Sequence, residues 1–217
     1  MKDSVDSKTY TLALHATGPQ LGLAIASPFG DRRCQTWDLG RDLSKHLHTH
    51  LSEFVKPQTW KDFSFLAAAK GPGSFTSTRI GLVVARTLAQ QLEIPLFAIS
   101  TLAAAAWSNK ELCAPGEKIA VQLPATRERV FAAIYQCDRG KLHPFLPDAA
   151  MALSAWQETL GNWERGVRLV ELSENLGDTV TSVLELAQLE WEAGQRPHWS
   201  EALPFYGQSP VDSSPRS

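Results

Sequence analysis

Phe63-Ser64-Phe65-Leu66-Ala67-Ala68-Ala69 runs directly into Lys70-Gly71-Pro72-Gly73-Ser74-Phe75-Thr76, and then into Ser77-Thr78-Arg79-Ile80-Gly81-Leu82. The first seven residues are an apolar run of strand length, the pattern of a strand covered on both faces. Two glycines around a proline enforce a sharp turn. Thr76 reads as the N-cap of a helix that continues to about Leu92. Strand, glycine turn and helix in this order predict an α/β fold and could in principle cradle an anion. The pattern lacks the Lys-Ser/Thr that a P-loop carries after its second glycine, and no GxGxxG spacing occurs. The glycines therefore read as conformational, serving the turn.

N-terminal to this unit, residues 10–16 and 21–26 are short apolar runs around Gly18-Pro19, the pattern of a β-hairpin, and residues 34–39 form a third strand after Gly30-Asp31. Leu43, Leu47, Leu51, Phe54 and Val55 recur at helical spacing, so residues 42–55 form an amphipathic helix that stops before Pro57. Beyond the glycine turn, residues 95–99 read as a strand, and Ser100 or Thr101 caps a helix through Trp107.

The second half echoes the first. Strands are expected at 118–123, 130–136, 141–145 and 167–171, and helices at 154–160 and 178–193. Two successive hairpin-plus-βα units predict a duplicated α/β architecture. The lobes are expected over residues 9–107 and 116–207, the second smaller, with a boundary near 108–116 and a mobile Ser- and Pro-rich tail at 208–217.

Composition limits the function classes. The chain has 217 residues, 43% hydrophobic and 20% charged, with a formal net charge of −2. That balance argues against a dedicated nucleic-acid binder, whose affinity comes from neutralised phosphates. The first 104 residues carry 11 basic and 8 acidic side chains and the remainder 10 and 15, so the lobes differ in charge. Cys34, Cys113 and Cys137 form no CxxC pair and read as reduced thiols. No apolar run is long enough to span a membrane, and the polar N-terminus lacks a signal core, so a cytoplasmic protein is expected.

Few residues suggest chemistry. Ser74 is not in a GxSxG elbow and no cysteine has an activating neighbourhood, so a protease reading lacks its nucleophile. A hard divalent ion needs oxygen ligands such as carboxylates. The turn after the first strand carries His15, which supplies none, reads as a structural histidine at a strand end and argues against ATP hydrolysis. His46 and His50 lie on one edge of the first helix with Asp42 and Glu53. No HExxH accompanies them, so the edge reads as solvated or partner-facing and not as a metal site. Arg127, Glu128 and Arg129 read as a solvated turn. Trp156, Trp163, Trp191 and Trp199 read as packing residues. No catalytic, cofactor-binding or metal-binding residue is assigned.

Gly71-Pro72-Gly73-Ser74-Phe75-Thr76 followed by Arg79-Ile80-Gly81 resembles the signature of the bacterial TsaB (YeaZ) family, and Ile94-Pro95 and Ser100-Thr101-Leu102 are similar to the segment that follows it there. The specific likeness covers roughly residues 63–107. The resemblance implies two RNase H-like lobes in an actin-like/Hsp70-like (ASKHA) arrangement, and Gly71 to Thr76 with Arg79 as a structural loop. It implies a non-catalytic dimerisation partner of the glycoprotease-like subunit TsaD, without TsaD's metal site. With the ATPase TsaE, that complex places threonylcarbamoyl on adenosine 37 of tRNA (t6A), most of the tRNA contact coming through the complex. A homodimer of the chain alone stays open. The chain departs from the family at His15-Ala16-Thr17, at Ser77-Thr78, at Leu123-Pro124-Ala125-Thr126 with Arg129-Val130-Phe131, and at Pro204-Phe205-Tyr206. The alternative function is an actin-like ATP-dependent small-molecule kinase, which would need carboxylates where His15 and Pro124 stand.

On a helical wheel, Ile80, Gly81, Leu82, Val84, Ala85, Leu88, Ala89 and Leu92 span roughly 100° to 300°, more than the ~100° that one sheet covers. Gly81, Ala85 and Ala89 would let another helix approach closely. The surplus is covered either by the chain's own first helix or by a partner. The family resemblance favours a partner, with an interface of His46, His50, Phe54, Gly81, Leu82, Ala85 and Ala89.

Overall fold

A computed structural model of the chain describes residues 9–112, 114, 116–126, 128–138, 141–162 and 167–207. Cys113, Arg127, Trp163 and the tail at 208–217 lie outside the described residues.

The first unit is β1 (Tyr10–His15), β2 (Gln20–Ala26), β3 (Arg32–Asp38), α1 (Leu43–Val55), β4 (Phe63–Ala69), α2 (Phe75–Leu92) and β5 (Leu96–Ile99). Its sheet has the order β3-β2-β1-β4-β5, with β1, β2 and β3 antiparallel and β4 and β5 added parallel to β1. Helix α3 (Thr101–Ser108) leads to β6 (Lys118–Pro124), β7 (Arg129–Asp138), β8 (Lys141–Ala152), α4 (Leu153–Gly161), β9 (Val167–Glu171) and α5 (Val180–Glu192). The second sheet has the order β8-β7-β6-β9, with the same antiparallel meander and one parallel addition. It repeats β3-β2-β1-β4 of the first sheet. Two RNase H-like α/β units therefore follow one another.

Alternation along the strands separates two kinds of face. On one side of the first sheet Leu12, Leu14, Leu23 and Ile25 pack against Leu43, Leu47 and Leu51 of α1 and Leu82, Ala85 and Ala89 of α2. Full burial of each leucine contributes about 1.5–3 kcal/mol. On the other side the small residues Ala13, Ala24 and Ala67, with Phe65 and Phe97, receive Val180, Val183, Leu184 and Ala187 of α5. Helix α5 follows the second unit in the chain yet seals the first sheet, because its apolar stripe matches this shallow face. Leu102, Ala105 and Ala106 of α3 pack on Ile119, Val121 and Tyr135 of the second sheet, whose far face is closed by Trp156 of α4.

Two element ends differ from expectation. Ser74, not Thr76, is the N-cap of α2, accepting a hydrogen bond from the Ser77 N–H at 3.4 Å. Ser100 caps α3 in the same way through the Ala103 N–H at 3.1 Å. Strand β8 runs to Ala152 and does not stop at Phe145. Its prolines, Pro144 and Pro147, are tolerated because β8 is the edge of its sheet.

Candidate functional site

The glycine turn after β4 is stitched to three neighbouring segments. The Lys70 N–H donates to the Ile99 carbonyl (2.8 Å), Phe205 N–H to the Lys70 carbonyl (2.7 Å), Thr101 N–H to the Gly71 carbonyl (2.9 Å) and Ser74 N–H to the Thr17 carbonyl (2.7 Å). Gly71 adopts φ +98°, and a Cβ there would lie 2.6 Å from the Phe205 carbonyl oxygen. A Cβ on Gly73 would lie 2.2 Å from the Thr17 carbonyl oxygen. The turn's glycines thus serve close backbone packing, and the Ser74 N–H points inward to protein and not to an anion.

Above this turn the two units leave a cavity of about 560 Å³. It is walled by the segments after β1 (Thr17, Gly18), β4 (Gly73, Ser74, Phe75) and β6 (Ala125, Thr126), with Glu174 and Tyr206 at its margin. Crevices at the carboxyl ends of parallel strands are where open α/β sheets bind ligands. Phe75 and Tyr206, 55% and 37% exposed, pair at 4.6 Å between ring centroids, and the Arg79 guanidinium lies 5.2 Å from the Phe75 ring.

His15 does not reach this cavity. It is fully buried, and desolvation lowers its pKa to about 4, so the ring is neutral. Neither ring nitrogen has a hydrogen-bond partner among the described residues, and neither does the Thr78 hydroxyl. Pro124 lines the cavity at the equivalent end of β6.

On α1, the His50 ring stacks on Trp37 (4.6 Å, 29°) and lies 6.3 Å from the exposed His46 ring. Asp42 is paired with Lys45 at 2.6 Å. The Lys45 hydrogen bond, and then its charge, hold the Asp42 carboxyl below its usual range. Among the described residues no group of three His, Cys, Asp or Glu side chains could hold a metal ion, and no helix is long and apolar enough to cross a membrane.

The expected partner face of α2 is corrected by the packing. Leu82, Ala85 and Ala89, like Phe54 of α1, are buried in the chain's own core, and a Cβ on Gly81 would come within 2.8 Å of the Ala16 Cβ. Two of the chain's own elements, the first sheet and α1, take up the surplus apolar arc, with Trp199 packed alongside. The outward face of α2 carries Phe75, Arg79, Val83 (57% exposed) and Thr87. Of the seven residues expected at an interface, His46 is exposed and His50 half-buried.

Sequence reading missed three features. Glu185 of α5 accepts hydrogen bonds from Arg32 (2.8 Å), Trp107 (2.6 Å) and Lys110 (2.9 Å). Asp148 accepts from Ser100 and Tyr135. Phe75 meets Tyr206. All are long-range contacts without local spacing. Only the Pro204-Phe205-Tyr206 segment carried a signal.

The duplicated units, with a crevice at their strand ends, define a two-lobed α/β protein. The family described as "TsaD: tRNA N6-adenosine threonylcarbamoyltransferase" matches residues 44–192. The "tRNA threonylcarbamoyladenosine biosynthesis protein TsaB" of Bacillus subtilis (strain 168) is 36% identical over 107 residues, 49% of this chain and 45% of that protein. The protein of the same name from Escherichia coli (strain K12) is 36% identical over 80 residues, 36% of this chain and 33% of that protein. These matches span less than half the length of the relatives. The solved structure of YeaZ from Pseudomonas aeruginosa has the same fold, with a TM-score of 0.74 at 22% identity over 91% of this chain and 99% of that one. The chain belongs to the family of the matched TsaD model, and its matched stretches are similar to the TsaB proteins.

Proposed function

We propose that the chain is a non-catalytic subunit of t6A biosynthesis that binds TsaD, with TsaE joining the ternary complex and tRNA held mainly by the assembled partners. Family membership supports the pathway. The observation that carries the non-catalytic reading is His15: the end of β1 presents a buried, neutral imidazole where a phosphate-handling lobe needs a carboxylate facing the cleft. This observation also disfavours the kinase alternative. TsaD binding is assigned to the outward face of α2 and the adjacent edge of α1, where Phe75, Arg79, Val83 and His46 are exposed.

The test is co-elution of the purified chain with TsaD from the same organism. The reading expects a stoichiometric complex that is lost in Val83→Arg, together with no ATP turnover by the chain alone above a heat-killed control. A Val83→Arg protein that still co-elutes at normal affinity would move the interface elsewhere, and ATP turnover would favour the kinase.

A further inference from the structure

Helix α5 and residues 142–148 of β8 flank a second, open groove of about 440 Å³ that shares no lining residue with the interlobe cleft. We propose that this groove binds a free α-amino acid as its zwitterion, the ammonium on Glu190 and the carboxylate on Lys70.

The polar groups here converge from separate elements. Lys70 projects from the end of β4, and both its backbone groups are pinned, N–H to Ile99 and carbonyl to Phe205. Its side-chain ammonium makes no hydrogen bond or ion pair among the described residues. Glu190, on α5, is close enough to feel the charge of Lys70 but is not in ion-pair contact with it. Burial pushes the Glu190 carboxyl up and the lysine only partly offsets this. A cation and an anion therefore share the groove without touching. Asp148 adds a second carboxylate, oriented by hydrogen bonds from the Ser100 and Tyr135 hydroxyls, both 2.5 Å. The remaining wall is apolar, with Leu142, Pro144 and Leu186. An apolar wall with a few convergent polar groups and a volume within ~300–1,000 Å³ is the usual form of a small-molecule site.

The charge pattern selects the ligand. Asp148 is already engaged by two hydroxyl donors, so Lys70 and Glu190 are the charges left for a ligand. A simple amine would pair with Glu190 but leave Lys70 unpaired beside a second cation, and a simple carboxylate would pair with Lys70 but leave Glu190 unpaired beside a second anion. A zwitterion answers both ends, and an aliphatic side chain suits the apolar wall. Unpaired charge in a partly desolvated groove is costly, so both ends contribute to selectivity.

The experiment is a titration of the ¹⁵N-labelled full chain with L-leucine, compared with isopentylamine and 4-methylpentanoate, which each lack one charge. L-leucine is expected to give saturable shifts at amides lining the groove. Each single-charge analogue is expected to bind about tenfold more weakly or worse, as are Lys70→Gln and Glu190→Gln. Thermal melts of the two variants check their fold, and if either fails to fold the analogue comparison on the unaltered chain still decides. Isopentylamine binding as tightly as L-leucine would overturn the zwitterion in favour of a cation site. Shifts that saturate identically in folded variants would place the ligand elsewhere. No saturable shift up to the solubility of L-leucine would show that the groove is not an amino-acid site.

Discussion

Gly73 lies against Thr17 so closely that a single added carbon would sit 2.2 Å from the Thr17 carbonyl oxygen. The same oxygen accepts the Ser74 N–H at 2.7 Å. The end of β1 and the start of α2 are thus joined backbone to backbone, and the lower wall of the interlobe cleft depends on that junction.

Gly73→Ala is therefore expected to destabilise the fold by about 2–4 kcal/mol, since neither backbone can yield cheaply. Gly161→Ala, where nothing lies within 4 Å of the added carbon, should be neutral within about 0.5 kcal/mol. Urea denaturation of both variants reads the difference directly.

His15 predicts a pH dependence. Its folded pKa is about 4, below the ordinary 6.5 of an exposed histidine. The unfolded chain binds the proton first, so the stability tied to the neutral ring is fully present above about pH 6.5. It falls through the window down to about pH 4, by about 1.4 kcal/mol per pH unit. Subtracting the denaturation free energies of His15→Leu from those of the unaltered chain at pH 7, 5.5 and 4.5 should reveal this slope. A difference independent of pH would mean that His15 has the same pKa in the folded and unfolded chain.

Ala85 and Val83, two positions apart on α2, should respond oppositely to arginine. Ala85 is wholly buried and Val83 is 57% exposed. Ala85→Arg places a charge in the core at a cost of several kcal/mol and should unfold the protein. Val83→Arg should shift stability by no more than about 0.5 kcal/mol. Circular dichroism melts of the pair test the orientation of the helix independently of any partner.

Much of this architecture is legible in the sequence because its signals are local. The alternation of residues 10–26, the leucine spacing of 43–55 and the glycine turn at 71–73 each determine an element within a few residues. Layering is not local. The wheel of α2 shows how wide its apolar arc is, but not that α1 and Trp199 share in covering it, so Ala85 and Ala89 could be read as facing outward. Likewise α5 follows the second unit in sequence, yet Val183 and Leu184 fit the shallow alanine face of the first sheet. The cap of α2 fell two residues early because Ser74 and Thr76 are both good caps, and the Ser74–Thr17 contact chooses between them. The Asp148 and Glu185 clusters join residues 13 to 153 positions apart, beyond any motif.

Glu185 should act as a fastener for three elements. Burial pushes its carboxyl up, but hydrogen bonds from Lys110, Trp107 and Arg32 outweigh this and hold it below the usual carboxylate range. Its stabilising contribution is therefore present above the ordinary glutamate pKa of 4.5 and is lost as pH falls below it. Glu185→Gln should cost about 1–2 kcal/mol at neutral pH, the value of charge-assisted hydrogen bonds at a partly exposed site. The cost should shrink toward pH 4, as urea denaturation across that range would show.

The proposed role as a TsaD-binding subunit ties cellular t6A to the chain. The most direct test is the t6A content of total tRNA, measured by mass spectrometry of nucleosides, after depletion of the chain in its own organism and re-expression of either the unaltered protein or Val83→Arg. The t6A content is expected to fall on depletion, to return with the unaltered protein and to stay low with a folded Val83→Arg. Undiminished t6A after depletion would contradict that role.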